Sequence, residues 1–342
     1  LKLTNTVFAI GAPAFFLAGP APPRRRAAGT AQLMLGTAIG FLVVAGWWHL
    51  TLWRRFHNPV FPYANNIFDS PDFPPVATRD TRFLPRSAWD IVRDPLYWLF
   101  GGSPTPGLMS PASETDPKDA RFALALVGAP VALAIGWFRR PRRSALLARP
   151  ETGLLLACAI DYPVWLFTFG IHRYMIPLEI LCGAVVLVLA DWMATGRWRS
   201  RLLLVLVILT LMRVHVAFWQ RLPWQDHWAT IAPAPLALQG RPLIFLTFSP
   251  SAFLALSLPA EARYVDFECG EINLCGPYDT TLTRQLRTEL EASPPDSLYM
   301  VMPSGSTAPQ ISGLAAYGLR LGTQCQPLAV AARVYLICDV LR

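Results

Sequence analysis

Three ionisable residues stand within apolar stretches of the sequence, where they could support chemistry. Asp161, Glu179 and Arg213 are each surrounded by runs of apolar residues. A charge at membrane depth is costly, so such residues are functional candidates by default. With a helical rise of about 1.5 Å per residue, Glu179 and Arg213 fall roughly 9 Å inside the outer ends of their spans, and Asp161 falls somewhat deeper. The matching depths predict a Glu179–Arg213 ion pair, which could be structural or functional.

His172 and Arg173 form a second candidate pair, in a short turn between two apolar stretches. An arginine at such a place can bind a phosphate group through two parallel N–H donors. The same side chain can equally anchor the protein to lipid headgroups. The sequence therefore predicts contact with an anionic group, from either a substrate or the surrounding membrane lipids.

The elements that would position these residues are apolar helices. The chain is 53% hydrophobic and only 15% charged, whereas soluble domains average roughly 25% charged residues. Its apolar residues form blocks close to the ~20 residues that a helix needs to cross a bilayer core. The blocks lie at residues 3–19, 31–53, 120–138, 152–170, 174–193 and 202–219. The sequence thus predicts a polytopic α-helical membrane protein with about six transmembrane helices in residues 1–219.

Arginine clusters set the predicted orientation. The segments after the first, third and fifth blocks contain 3, 5 and 3 Arg, whereas the loop at 54–119 is balanced in charge. Because positive residues favour the cytoplasmic side, this loop, the His172–Arg173 turn and everything after Trp219 should face outward from a bacterial inner membrane. Arginines clustered between apolar blocks also indicate a topology signal and argue against a nucleic-acid-binding surface.

The end of the chain has the pattern of an extracytoplasmic α/β domain. We predict a linker at 220–240 and the domain at 241–342, with strands alternating with helices around a small, mainly parallel sheet. The predicted strands are Leu243–Phe248, Tyr264–Glu268, Leu298–Met302 and Val334–Cys338, and the predicted helices are Thr281–Ala292 and Ile311–Leu321.

Four cysteines of this domain are disulfide candidates, because the outer side of the membrane is oxidising. They are Cys269, Cys275, Cys325 and Cys338, and four cysteines allow three connectivities. Proximity favours Cys269–Cys275 and Cys325–Cys338. Zinc is the competing interpretation, but the domain has no Cys-x-x-Cys pattern and no His. We therefore assign no metal site, and a divalent cation stays open as a cofactor.

The loop at 54–119 is rich in prolines interleaved with aromatic residues. Its 11 prolines prevent a long regular helix. A loop of this length is usually functional or disordered, and its aromatic content argues against disorder. Two interpretations remain: a structural plug over the outer ends of the helices, and a segment that covers a binding cavity.

Three motifs together resemble a known family. They are the stretch at 58–63 with Asn65, the stretch at 79–85, and the stretch at 173–179 that enters a span. With the terminal outer domain, they resemble the C-terminal half of bacterial membrane glycosyltransferases of the GT-C superfamily. The resemblance implies an enzyme that takes a sugar from a polyprenyl-phosphate carrier and transfers it to a glycan, lipid or protein acceptor on the outer face.

The resemblance also implies roles for particular residues. Arg173 matches an Arg-Tyr motif where the carrier phosphate would be held. Candidates for donor or acceptor contacts in the loop are Asp69, Arg79, Asp80 and Arg82. The family's catalytic base lies near the start of its proteins, and no position here matches it. Because the chain begins Leu-Lys-Leu without an initiator Met, we expect it to be the C-terminal part of a longer protein, with the catalytic residue unknown.

Other functions fit the same layout. A polymerase or ligase of surface polysaccharide also uses long outer loops with arginines. A non-enzymatic transporter is a further class, although the apolar blocks show no inverted repeat. An assembly protein whose outer domain binds a partner is the last alternative.

Overall fold

The chain folds as two compact units. The first combines Leu1–Trp47 with Asp80–Arg221, and the second combines Trp48–Arg79 with Leu222–Arg342. The computed structural model describes residues 3–18, 21–81, 83–100, 118–139, 149–214, 237–248, 251–267, 278–303, 308–330 and 333–342.

Helices dominate the described chain up to residue 214. After a 3-10 helix at Leu3–Ala9, the helices are α1 (Ala14–Leu17), α2 (Pro23–Phe56), α3 (Asn65–Phe68), α4 (Asp90–Phe100), α5 (Ala120–Arg139), α6 (Pro150–Thr168), α7 (Ile176–Met193) and α8 (Gly196–Arg213). Both α6 and α7 have a proline in the first turn, where the missing N–H breaks no helical hydrogen bond. A 3-10 turn at His172–Tyr174 joins these two helices.

Among the described helices, only α2 and α7 are long and apolar enough to cross a membrane. This finding rests on length and composition, and it contradicts the prediction of about six transmembrane helices. Two further apolar helical stretches, Thr4–Phe16 and Ala120–Ile135, are shorter. The architecture is therefore corrected to a helical unit with two candidate spans and a second unit that contains a sheet.

The other predicted spans fail for reasons visible in the sequence. The stretch at 3–19 is interrupted, since its 3-10 helix ends before Gly11 and α1 begins only after Pro13. Helix α6 contains two carboxylates. Helix α8 contains three arginines in its first half and ends at Arg213, so its uncharged stretch at 202–212 extends only about 16 Å.

The core of the first unit lies among α4, α5, α6 and α7. Trp98 on α4, Phe122 on α5 and Trp165 on α6 pack in one cluster of buried residues with Leu178 on α7. A second cluster joins α5 to α7 through Ala132 and neighbouring apolar side chains. These two clusters fix the four helices against one another.

The second unit contains a five-stranded mixed sheet. Its strands are β1 (Leu243–Leu246), β2 (Arg263–Asp266), β3 (Leu298–Pro303), β4 (Arg320–Val330) and β5 (Arg333–Leu341), in the order β2-β1-β3-β5-β4. Strand β1 pairs in parallel with β2 and β3, whereas β5 is antiparallel to both β3 and β4. The prediction of a mainly parallel sheet therefore holds for one half only. Apolar clusters cover both faces, including Phe245 on one and Ile244 on the other.

The helices of this unit are α9 (Thr281–Glu291) and α10 (Ala308–Leu314). The predicted helix at Ile311–Leu321 is wrong in its second half. After Leu314 the chain forms a 3-10 turn, and Gly318 adopts φ +70° before β4 begins at Arg320. A glycine in the left-handed region commonly ends a helix. Strand β4 was not predicted at all.

Two buried asparagines organise the proline-rich loop in the second unit. The Asn65 amide donates to the carbonyl oxygens of Ser70, Phe73 and Pro74 at 3.0, 2.7 and 3.1 Å. Its side-chain oxygen accepts from the Ser70 N–H at 2.9 Å and from the Asn58 amide at 3.3 Å. The motif around these residues therefore acts as a structural scaffold.

The same loop contacts the start of α9. The Thr281 N–H donates to the Pro71 carbonyl at 2.8 Å. This bond satisfies a backbone donor in the first turn of α9, which has no partner within the helix. The loop is thus part of the second unit's fold.

The structure contains a disulfide between Cys325 and Cys338, which face each other on β4 and β5. Cys269 and Cys275 lie outside the described residues. The candidate pairing between them therefore stays a prediction.

Candidate functional site

Trp98 is the centre of an aromatic cluster in the first unit. Its side chain is fully buried. The centroid of its ring lies 5.3 Å from Phe122, 6.5 Å from Tyr162, 6.4 Å from Trp165 and 5.6 Å from His172. The cluster therefore brings together α4, α5, α6 and the 3-10 turn, which are distant in sequence.

An ionisable network adjoins this cluster at the start of α5. The Asp119 N–H donates to the Trp98 carbonyl at 3.0 Å. The Asp119 carboxylate accepts from Arg121 Nε at 3.0 Å and from Nη2 at 2.6 Å. Arg121 Nη1 then donates to the backbone carbonyl of Glu179 at 3.0 Å, and His172 Nε2 lies 3.4 Å from Glu179 Oε1. Asp119 and Arg121 thus connect α5 to the turn and to α7.

Helix α4 supplies a second set of charges. Arg93 Nη2 lies 2.8 Å from Asp90 Oδ1 and 3.1 Å from Asp94 Oδ1, and both carboxylates are buried. Asp90 also accepts from the backbone N–H groups of Arg86 and Ser87 at 2.7 and 3.0 Å. The Asp90 carboxylate therefore holds the segment before α4 against the start of the helix. The Arg93 guanidinium also donates hydrogen bonds to Asp94.

Burial shifts the pKa of Asp94 and that of His172 in opposite directions. It raises the pKa of Asp94 from 3.8 to about 6, against the opposing effect of Arg93. It lowers the pKa of His172, although the charge of Asp119 acts in the other direction. A carboxyl that exchanges its proton near neutral pH is suited to acid–base chemistry. A neutral imidazole can accept one hydrogen bond and donate another.

An apolar cavity of about 200 Å³ lies among α4, α5, α6 and α7. Pro95, the residue after Asp94, lines it, as do Phe122 and Tyr162 from the aromatic cluster. The free thiols of Cys158 and Cys182 line it as well. The cavity and the ionisable groups are therefore neighbours in one unit.

The structure brings together only some of the predicted site residues. His172 and Glu179 are neighbours, so the predicted Glu179–Arg213 ion pair is replaced by a Glu179–His172 contact. Arg213 is exposed in the last turn of α8. Asp161 is buried and accepts from the Gly11 N–H at 2.7 Å, which gives it a structural role in holding the N-terminal segment.

The remaining candidates are dispersed. Arg173 is exposed, with its guanidinium 5.3 Å from the ring centroid of Tyr174. Asp80 is half-buried in the first unit, whereas Asp69 and Arg79 are exposed in the second. Arg82 lies outside the described residues.

Sequence reasoning missed Asp94, Asp119, Arg121 and Tyr162. A signal for Asp94 exists, because Asp90, Arg93 and Asp94 share one face of a helix at i, i+3 and i+4 spacing. Asp119 and Arg121 lie at the start of an apolar block, where a charged pair resembles an ordinary topology signal. Nothing in the sequence marks Tyr162, since Trp98 approaches it from another helix.

The described residues contain no group of three or more His, Cys, Asp or Glu side chains that could hold a metal ion. No family model matches this chain, and no curated protein or solved structure matches it.

Proposed function

We propose that this protein is a membrane glycosyltransferase of the GT-C type, which transfers a sugar from a polyprenyl-phosphate carrier to an acceptor hydroxyl. The observation that carries the proposal is the adjacency of an apolar cavity to buried ionisable groups in the first unit. Pro95 lines the cavity and follows Asp94 directly, and Phe122 lines it and follows Arg121. A substrate with a hydrocarbon chain and a charged headgroup requires both environments side by side.

In this proposal Asp94 is the proton acceptor. Transfer forms a bond between the sugar C1 and the acceptor oxygen, and it breaks the bond between C1 and the carrier phosphate oxygen. The acceptor hydroxyl loses its proton to the Asp94 carboxylate, whose raised pKa near 6 suits proton transfer at neutral pH. The leaving phosphate gains negative charge, which an exposed arginine such as Arg173 offsets.

The membrane setting of the proposal follows from two features. Helices α2 and α7 have the length and composition of membrane spans. The Cys325–Cys338 disulfide is of a kind that forms in oxidising compartments. These features support our proposal that the reaction takes place at a bacterial inner membrane, with the second unit on its outer face.

The test is sugar transfer by the full chain in membrane vesicles, with undecaprenyl-phosphate mannose, galactose, glucose or arabinose as radiolabelled donors. Label is measured in the lipid, glycan and protein fractions. We expect Asp94→Asn to reduce transfer about 100-fold or more, the range of acid–base catalysis. The control is Asp296→Asn, which alters an exposed aspartate of the second unit. Transfer by Asp94→Asn at the wild-type rate would exclude Asp94 as the base.

Arg173 is tested against a matched arginine. Arg201 is also exposed, and its guanidinium lies 5.1 Å from the ring centroid of Trp198, close to the 5.3 Å between Arg173 and Tyr174. Arg173→Ala should strongly impair transfer if Arg173 binds the carrier phosphate, and Arg201→Ala should not. Equal effects of the two substitutions would leave Arg173 as a lipid anchor.

A further inference from the structure

Arg93 on α4 connects two buried carboxylates. Its Nη2 atom lies 2.8 Å from Asp90 Oδ1 and 3.1 Å from Asp94 Oδ1. The side chains of Asp90 and Asp94 are only 1% and 3% exposed, whereas that of Arg93 is 47% exposed. Their spacing of three and four positions places all three side chains on one face of the helix. One guanidinium group therefore pairs with two carboxylates that are largely removed from water.

Asp90 is the fixed end of this arrangement. Its Oδ2 atom accepts hydrogen bonds from the backbone N–H groups of Arg86 and Ser87 at 2.7 and 3.0 Å, and its Oδ1 atom faces Arg93. The Asp90 carboxylate cannot rotate without losing both bonds to the backbone. Because a guanidinium group is planar and pairs with carboxylates in a preferred geometry, a fixed Asp90 also restrains Arg93.

The two carboxylate oxygens of Asp94 have different surroundings. Oδ1 accepts from Arg93 Nε at 3.3 Å and from Nη2 at 3.1 Å. Oδ2 accepts no hydrogen bond from the described residues. Two further ionisable groups act electrostatically on this carboxyl, Asp90 from the same helix and Tyr162 from α6. Oδ2 is therefore the oxygen that can take a proton from a substrate.

We propose that Arg93 is a positioning residue for Asp94, which it holds through Oδ1 so that Oδ2 faces the acceptor hydroxyl. The inference rests on the proposed function, because it takes Asp94 as the base. The acceptor O–H bond breaks and its proton passes to Oδ2, while the acceptor oxygen forms the bond to the sugar C1 and the carrier phosphate leaves with the electron pair of the broken C1–O bond. Arg93 acts on this step through Asp94 alone.

Substitution separates the charge of Arg93 from its geometry. Arg93→Gln removes the positive charge, whereas Arg93→Lys keeps the charge and replaces the planar guanidinium by a single ammonium group. A cation within hydrogen-bond distance lowers the pKa of a carboxyl by about 1 to 3. We therefore expect Arg93→Gln to raise the pKa of Asp94 above its value of about 6. Arg93→Lys should leave this pKa nearly unchanged and should reduce the rate of transfer.

The first measurement is NMR titration of the Asp94 carboxyl in the full chain, labelled with ¹³C-aspartate and held in detergent micelles. Asp94→Asn identifies the signal. The matched control is Arg86→Gln, which removes an equal charge from an exposed side chain four positions before Asp90. The titration midpoint should rise by about 1 pH unit or more in Arg93→Gln and should not move in Arg86→Gln. Equal midpoints in the wild type and Arg93→Gln would overturn the proposal.

The second measurement is the pH dependence of sugar transfer in membrane vesicles. The acidic limb of the rate profile should move to higher pH in Arg93→Gln, together with the Asp94 midpoint. In Arg93→Lys the limb should stay in place while the maximal rate falls by about 10-fold or more, because a small misplacement of a catalytic group is costly. Melting temperatures show that each variant folds. A folded Arg93→Lys with the wild-type maximal rate would overturn the role of Arg93 in orientation.

The two proposals fail separately. If the wild type transfers no sugar from any donor, the proposed function is wrong, whereas the NMR titration still decides whether Arg93 controls the Asp94 carboxyl. If transfer occurs and depends on Asp94 but neither Arg93 variant alters the midpoint or the rate, the proposed function stands and the positioning role is wrong.

Discussion

At the scale of single residues, Asp94 shows how burial changes a carboxyl. Removal from water raises its pKa from 3.8 to about 6, although Arg93 opposes the shift. The folded protein thus holds this proton more tightly than the unfolded chain does. The contribution of Asp94 to the free energy of unfolding is therefore fully present below about pH 4 and is lost as the pH rises through about 6.

Asp94→Asn should remove this pH dependence. Asparagine is neutral at every pH, so the melting temperature of the variant relative to the wild type should rise between about pH 4 and pH 7. The measurement is thermal unfolding of the detergent-solubilised chain across that range. Asp296→Asn, at an exposed position, serves as the control and should show no such trend. A difference between Asp94→Asn and the wild type that stays constant with pH would contradict the argument.

In the second unit, Asn65 stabilises the proline-rich loop through its buried side chain. Asn65→Ala removes the donor to three carbonyl groups and the acceptor for the Ser70 N–H, all in a buried setting. Leaving buried polar groups unpaired should lower the free energy of unfolding by about 3 kcal/mol. Urea unfolding followed by tryptophan fluorescence measures the change. The neighbouring Asn66 is exposed, and Asn66→Ala should have almost no effect; similar losses in both variants would count against the network.

At the scale of elements, the turn between α6 and α7 depends on one glycine. Gly170 has φ +61°, and a side chain there would collide with the Phe83 carbonyl oxygen. Gly170 lies two residues before His172, so its backbone conformation positions the ionisable network. A residue with a Cβ therefore disturbs both the backbone and the site.

Gly170→Ala should lower the free energy of unfolding by more than about 1 kcal/mol, because the native conformation does not suit alanine. Gly183→Ala is the matched control, since a Cβ at Gly183 meets open space and alanine favours helix by about 1 kcal/mol over glycine. The two variants should shift the melting temperature in opposite directions. If Gly170→Ala leaves the free energy of unfolding unchanged, the turn can accommodate a side chain and the argument is wrong.

A disulfide between Cys325 and Cys338, which are 13 positions apart, cross-links the β4–β5 hairpin. A cross-link that closes a loop of about 15 residues stabilises a fold by about 3 kcal/mol, chiefly by restricting the unfolded chain. The double variant Cys325→Ser, Cys338→Ser should lose about that amount in urea unfolding. Peptide mapping without reductant should recover the two cysteines in one linked species, and free thiols at both positions would refute the pairing.

At the scale of the whole molecule, the sequence predicts local patterns better than long-range ones. Strands β1 and β3 are short apolar runs, and α9 has the apolar spacing of an amphipathic helix, so the sequence predicts all three. Strand β4 was missed because it is a largely exposed edge strand that contains Pro327. Its pattern lacks the alternation that normally marks a strand.

The candidate site was harder to predict for a related reason. Aspartates are rarely buried, so nothing in the sequence indicates the burial of Asp90, Asp94 and Asp119. Burial depends on contacts between segments distant in sequence, as when the Asp161 carboxylate accepts from the Gly11 N–H across 150 positions. Apolar content alone predicts more spans than the two candidate spans among the described helices. The bounds of the helices and the charged residues within them exclude several blocks.

The two candidate spans lead to a prediction for the whole chain. Leu42 on α2 and Leu187 on α7 are exposed apolar residues near the middle of their helices. An arginine at the centre of a membrane helix is unfavourable by about 3 kcal/mol. If both helices anchor the protein, Leu42→Arg and Leu187→Arg should each reduce the fraction of protein that resists alkaline carbonate extraction. The double variant should be extracted completely.

Ala28→Arg, near the arginines that begin α2, should leave the protein in the membrane because a helix end tolerates charge. If the double variant resists extraction to the same extent as Ala28→Arg, neither helix anchors the chain. That result would also contradict the placement of the second unit on the outer face.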